Sequence, residues 1–250
     1  MADAGPAAVG KPGRRRIAGA SAAPAPGVSL RQHARDTIKA RILDSQYRPG
    51  ELLSEARLAE DLQISRTPIR EALRELSGKG LVRVLPKRGV MVSELSLQDI
   101  VEVYQLREQL ECFATRLAAF RLGPDDAAAF QADHDRAVAA MSRGRLREAY
   151  DHSILLHDRI IALAANSRLT QFMQLLSDQV HRFGLLTLRN GRVGPALDEH
   201  GRIIAAMRRN DGAEAETLMR RHLHEDRDMV LRLTLPAGAL PEPMRVFDNA

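Results

Sequence analysis

The chain has 250 residues, of which 44% are apolar and 28% charged, with one Cys and no Trp; this suits a soluble globular protein of two domains, or of one domain with tails, and excludes an internal disulfide framework. No apolar run is long enough to cross a bilayer, and Arg14, Arg15 and Arg16 are not followed by the apolar stretch of a signal peptide, so a reducing cytoplasm is the expected setting. The net charge of +5 is uneven: residues 1–95 hold 17 Lys and Arg against 10 Asp and Glu, the remainder 20 against 22, so the positive field lies at the N-terminal end and suits a polyanion.

Residues 1–28 are rich in Ala, Gly and Pro and read as a disordered basic tail, solvated in the preferred reading, with a loose arm of Arg14 to Arg16 on DNA phosphates as the alternative. A helix is expected over about 30–45, with Ala34, Ile38, Ile42 and Leu43 on one face. Pro49-Gly50 then forces a turn. Ser54 caps a second helix that turns Leu58, Ala59 and Leu62 inward. The chain turns again through Gln63 and Ile64. A third helix opens at Ser65-Arg66-Thr67, buries Ile69, Ala72, Leu73 and Leu76, and ends at Gly78 and Gly80. Residues 81–84 and 90–92 alternate as strands about a basic hairpin tip, Pro86-Lys87-Arg88-Gly89.

Beyond Leu97 the pattern becomes that of long amphipathic helices, placed at about 97–121, 124–143, 145–165, 167–189, 195–210 and 212–234. Breaks at Gly123-Pro124, Gly144, Asn166, Gly191 to Pro195 and Asn210-Asp211-Gly212 leave short connections, as between antiparallel neighbours. Residues 236–250 read as an irregular tail. The expected fold is mainly α: a winged helix-turn-helix over 29–95 followed by an all-α antiparallel bundle over 96–235.

The third helix carries the clearest chemistry. Free N–H groups and the positive dipole end at Ser65 and Thr67 favour phosphate oxygens. Arg66 and Arg70 stand four apart and share a face, which in the major groove can read guanine bidentately. Arg74 follows one turn on, toward the DNA backbone. Lys87, Arg88 and Gly89 form a tip suited to phosphate or minor-groove contact.

The ordered run Pro49-Gly50, Leu53-Ser54-Glu55, Leu58-Ala59, Ser65-Arg66-Thr67-Pro68, Arg70-Glu71-Ala72-Leu73, Leu76 and Gly80-Leu81 resembles the winged helix-turn-helix of the GntR family of bacterial transcription regulators. The helical region behind it resembles that family's FCD effector domain, and together the resemblance covers about residues 29–234. It implies the same DNA-reading roles for Arg66, Thr67 and Arg70. Ala56 stands where many members have Arg, and Arg57 beside it points elsewhere.

His157, His200 and His222 each stand mid-helix among apolar residues. The resemblance implies a divalent metal held by three such histidines and an Asp four residues before the first. Here that position is Ser153, a poor ligand, and by helical rotation Asp151 and Asp158 point away from His157. Three imidazoles still suffice for Zn²⁺ or a similar ion; the alternative is three packing or hydrogen-bonding histidines. His152, His181 and His224 read as surface or core residues, and His134 as solvated. Leu110-Glu111 and Leu117-Ala118-Ala119 read mainly as core packing. Arg107 matches an inward-facing, effector-binding Arg of the family, or else forms an ordinary ion pair with Glu111 four residues on.

The function expected is that of a homodimeric transcription regulator, a repressor, that binds a palindromic double-stranded operator and answers to a small carboxylate effector in the bundle. Two alternatives are weighed: a metal-dependent enzyme at the three histidines, for which no carboxylate base is evident in sequence, and a DNA-binding protein whose bundle only dimerises.

Overall fold

Serine hydroxyls set the starts of several helices. In α1 (Leu30–Leu43), Ser29 accepts from the Gln32 backbone N–H at 3.2 Å. In α2 (Glu55–Leu62), Ser54 accepts from that of Arg57, and Gln63 closes the helix in the left-handed region at φ 54°. Between them Arg41, buried at the end of α1, donates to the Tyr47 hydroxyl at 2.8 Å and ties the turn down. The computed structural model describes residues 27–86 and 88–234. Expectations for the tails up to residue 26 and from residue 235, and for Lys87, lie outside the described residues.

The head continues with α3 (Arg66–Gly78), β2 (Val82–Leu85) and β3 (Gly89–Val92). A further strand absent from the sequence reading, β1 (Leu52–Leu53), pairs with β3, so the antiparallel sheet runs β1-β3-β2 with Leu52 opposite Met91 and Val82 opposite Val92. Two residues are too short to show alternation, so only the pairing reveals it. Ile38, Ile69, Leu73, Leu76, Leu81 and Val92 form the core beneath. Each such side chain stabilises the head by about 1.5–3 kcal/mol on burial.

The bundle follows as α4 (Leu97–Arg121), α5 (Pro124–Ser142), α6 (Leu146–Ser153), α7 (Leu155–Leu163), α8 (Ser167–Leu188), α9 (Val193–Arg208) and α10 (Gly212–Thr234). A reciprocal box between Ser96 and Asp99 starts α4. The long α4 packs along α10 and touches α7, α8 and α9, which makes it the central stave. The helix expected at 145–165 is in fact two, joined at Ile154. Ser153 donates its hydroxyl to the Tyr150 carbonyl at 2.9 Å, and the His157 N–H returns to the Ile154 carbonyl, three residues back. Such bonds compete with the regular ladder and bend the chain with no Gly or Pro to announce it.

Head and bundle meet along α8. Lys39 of α1 is ion-paired with Asp178, and Arg182 donates to the Ser93 carbonyl just beyond β3. Arg147 of α6 reaches Asp44 at 3.2 Å.

Candidate functional site

On the head, Ser65, Arg66, Thr67, Arg70, Arg74, Arg88 and Gly89 are all exposed. The apolar face of α3 is buried by Ile69, Ala72, Leu73 and Leu76, which turns the arginine face outward. Unlike Ser29, Ser54 and Ser96, the Ser65 hydroxyl makes no capping bond to its helix. It is therefore available to an outside partner. Arg70 is held by Glu55 of α2, through Nε at 3.1 Å and Nη2 at 2.9 Å to one carboxylate oxygen. That brace was not foreseen. Gly89, at φ 103°, sits where a Cβ would be strained and would lie 3.3 Å from the Leu53 carbonyl.

Inside the bundle a cavity of about 400 Å³ opens among α4 and α6 to α10. Ile154, Ile161, Met173 and Val180 give it an apolar wall, with Tyr104 and Tyr150 beside them. Gly184 makes room for Tyr150: a Cβ there would collide with the phenol. At the polar end stand Arg107, Glu111, His157, Arg192, His200, His222 and Asp226.

The three histidines come from three helices, yet one ligand atom from each lies within 4.8 Å of the others. Ring centroids are 4.6 to 5.3 Å apart. Burial pushes the Glu111 carboxyl up, but Arg107, at 2.6 Å, and His157 outweigh it and hold the group well below the usual carboxylate range. Glu111 is thus an ionised acceptor, and the His157 Nδ1, 2.5 Å away, must donate to it. In the same way the His222 Nδ1 donates to Glu199 at 2.7 Å. Both rings therefore point Nε2 away from these two carboxylates, the arrangement in which metal-binding histidines are held. Burial, reinforced by His222 and His157, pushes the His200 pKa well below its ordinary value and keeps that ring neutral. Oriented and converging imidazoles fit a divalent cation.

Several sequence expectations shift here. Glu111 is no mere packing residue, since it braces His157. Arg107 both forms the Glu111 ion pair and lines the cavity. Asp158, about 100° round α7 from His157, also lines the cavity. His134 is not fully solvated: it packs on Gly201 with its Nδ1 buried and unpartnered. His181 also lines the cavity, and His224 bonds to Glu108 at 2.9 Å. Glu199, Arg192 and Asp226 were not singled out. Arg192 forks to Glu199, at 3.1 and 2.6 Å, and lies 2.9 Å from Asp226. Two of these stood in plain sequence signals: Glu199 adjoins His200, and Asp226 falls one turn after His222.

Two family models match the chain. The family model "Bacterial regulatory proteins, gntR family" matches residues 30–92, and that of the FCD domain matches residues 102–225. An HTH-type transcriptional regulator of Agrobacterium vitis, from the TAR-I ttuE-ttuC' intergenic region, is 34% identical over 152 residues, which cover 60% of this chain and 87% of that protein. The HTH-type transcriptional repressor RspR of Escherichia coli K12 is 25% identical over 188 residues, covering 74% and 82%. Among solved structures, E. coli McbR/YncC shares the fold at a TM-score of 0.69 and 21% identity, over 82% of this chain and 98% of that one.

Proposed function

Because the chain belongs to the GntR family of bacterial regulatory proteins and carries an FCD domain behind its head, we propose that this DNA-binding transcription regulator works as a homodimeric repressor on a palindromic operator, under the control of a small carboxylate effector in the bundle cavity. The single observation that carries the reading is one chain that joins an outward-facing arginine helix to a histidine-lined cavity. Its relatives are regulators and not enzymes.

In this reading α3 enters the major groove. Arg66 reads a base edge, Arg70 does so in the direction that Glu55 gives it, and Arg74 meets the backbone. Ser65 and Thr67 bind phosphate at the helix start, and Lys87, Arg88 and Gly89 track the neighbouring groove. His157, His200 and His222 would hold a divalent ion, which when bound supplies a positive centre for a carboxylate ligand. Arg107 is already engaged by Glu111, so it orients that centre more than it offers a free cation to the effector.

The second copy docks on α4. Leu106, Leu110, Phe113, Leu117 and Phe120 recur at alternating spacings of four and three, and Leu106 and Phe120 remain 51% and 63% exposed. Two heads joined by this seam match two half-sites of an operator.

The test is operator selection from random DNA followed by titration of the natural chain and Arg66→Ala. Removal of a bidentate base contact costs about 1–3 kcal/mol, roughly 5- to 150-fold in affinity, and relaxes preference at one position of each half-site. Unchanged affinity and preference in an Arg66→Ala, Arg70→Ala double variant would overturn the assignment of α3 as the reading helix.

A further inference from the structure

The position four residues before His157 holds Ser153, whose hydroxyl is spent on the Tyr150 carbonyl at 2.9 Å. It offers the histidine centre no anionic ligand. Another carboxylate stands nearby. Asp226 lies one turn beyond His222 on α10, so both side chains leave the same face of the helix. Its Oδ2 is 3.5 Å from the His222 Nε2.

The His222 Nδ1 is taken by Glu199, which leaves Nε2 to face the cluster. Nε2 stands 3.3 Å from the His200 Nε2 on one side and 3.5 Å from the Asp226 carboxylate on the other, so three candidate ligand atoms converge there. For Zn²⁺ with bonds of about 2.0–2.2 Å, neighbouring ligands of a tetrahedron stand about 3.4 Å apart. The two contacts of the His222 Nε2 match that edge, while the three histidine atoms together lie within 4.8 Å.

We propose that Asp226 supplies the carboxylate that Ser153 does not, as the fourth protein ligand of a divalent ion held by His157, His200 and His222; this rests on the metal reading given above. In the present geometry Asp226 touches the cluster through His222 and leans on Arg192 at 2.9 Å. A side-chain rotation moves it to the centre, and Arg192 keeps both of its bonds to Glu199. Three neutral imidazoles and one carboxylate then leave the ion a single net positive charge, enough to attract an anionic effector.

The experiment is a Zn²⁺ titration of metal-free protein against a chromophoric chelator, for the natural chain and for Asp226→Asn, with thermal melting of the metal-free forms as a check on the fold. The expected result is binding by the natural chain and a loss of tenfold or more in the variant, the least that removal of a ligand should cost when outer partners alone are worth 10- to 100-fold. A loss under tenfold overturns the proposal. No binding by the natural chain overturns the metal reading itself, and the proposal with it. Since the substitution also touches Arg192, a crystal structure of the zinc-loaded natural chain gives an independent answer. An Asp226 oxygen about 2.0–2.2 Å from the ion supports the assignment. The carboxylate still on Arg192, with solvent as the fourth ligand, refutes it.

Discussion

His181 shows how one half-buried ring couples this protein to pH. It lines the cavity beside Tyr150, with ring centroids 6.3 Å apart. Burial, then Arg147 on α6, lowers its pKa, against an opposing pull from Asp44, Asp151 and Asp178. A histidine whose folded pKa is depressed stays neutral while the unfolded ring takes up a proton. Its contribution is therefore complete above the ordinary value of about 6.5 and is lost as pH falls below it. The melting temperature should drop as pH is lowered from about 7 to 5, and His181→Gln should flatten part of that slope. An identical slope in the variant would remove His181 from the account. Sequence could not supply this, since nothing in the string His181-Arg182-Phe183 says which ring faces a cavity. Arg66 and Arg70 were different: their spacing along a strongly amphipathic helix fixed their common face in advance. Glu111 sits between these cases, legible as a partner of Arg107 but not as the brace of His157, which arrives from a helix 46 residues away.

At the scale of elements, periodicity located nearly every helix, because each long helix has one face in the core. It missed β1 and the bend at Ile154, where short pairing and a side-chain hydrogen bond decide the backbone. The same logic applies to α4, where Leu110 and Leu117 pack partly into the bundle core while Leu106, Phe113 and Phe120 of the same stripe stay exposed. An aromatic at the middle of such a seam is costly to charge. Phe113→Asp should convert a dimer to monomer, read as a halved mass by light scattering, while the helical content stays unchanged. A variant that keeps the mass of the natural chain would place the seam elsewhere. In the dimer proposed above two heads share one operator, so the monomer should also bind a full palindrome far more weakly.

For the whole molecule the decisive element is α8, which faces the cavity with Met173, Val180, His181 and Gly184 and the head with Asp178 and Arg182. An effector that alters α8 thereby acts on α1 and on the start of the linker at Ser93. Coupling of this kind requires unequal binding to two arrangements, and its size is typically about 1–3 kcal/mol. Asp178→Asn breaks the ion pair to Lys39 without touching the cavity lining. It should leave effector affinity for the DNA-free protein within about twofold and shrink the effector's influence on operator binding, measured by anisotropy with and without effector. Full retention of that influence would exclude the Lys39–Asp178 contact as a carrier.

The placement of the tyrosines has an optical consequence. The chain has no Trp and only three Tyr. Tyr104 and Tyr150 line the cavity, and Tyr47 is locked in the head. With no indole to drain their excitation, the phenols emit in their own right near the ultraviolet edge, and two of the three do so from the cavity wall. The protein thus carries a native, label-free reporter of cavity occupancy. A ligand that quenches or polarises those rings announces itself in the emission, and the single phenol of the head serves as an internal reference.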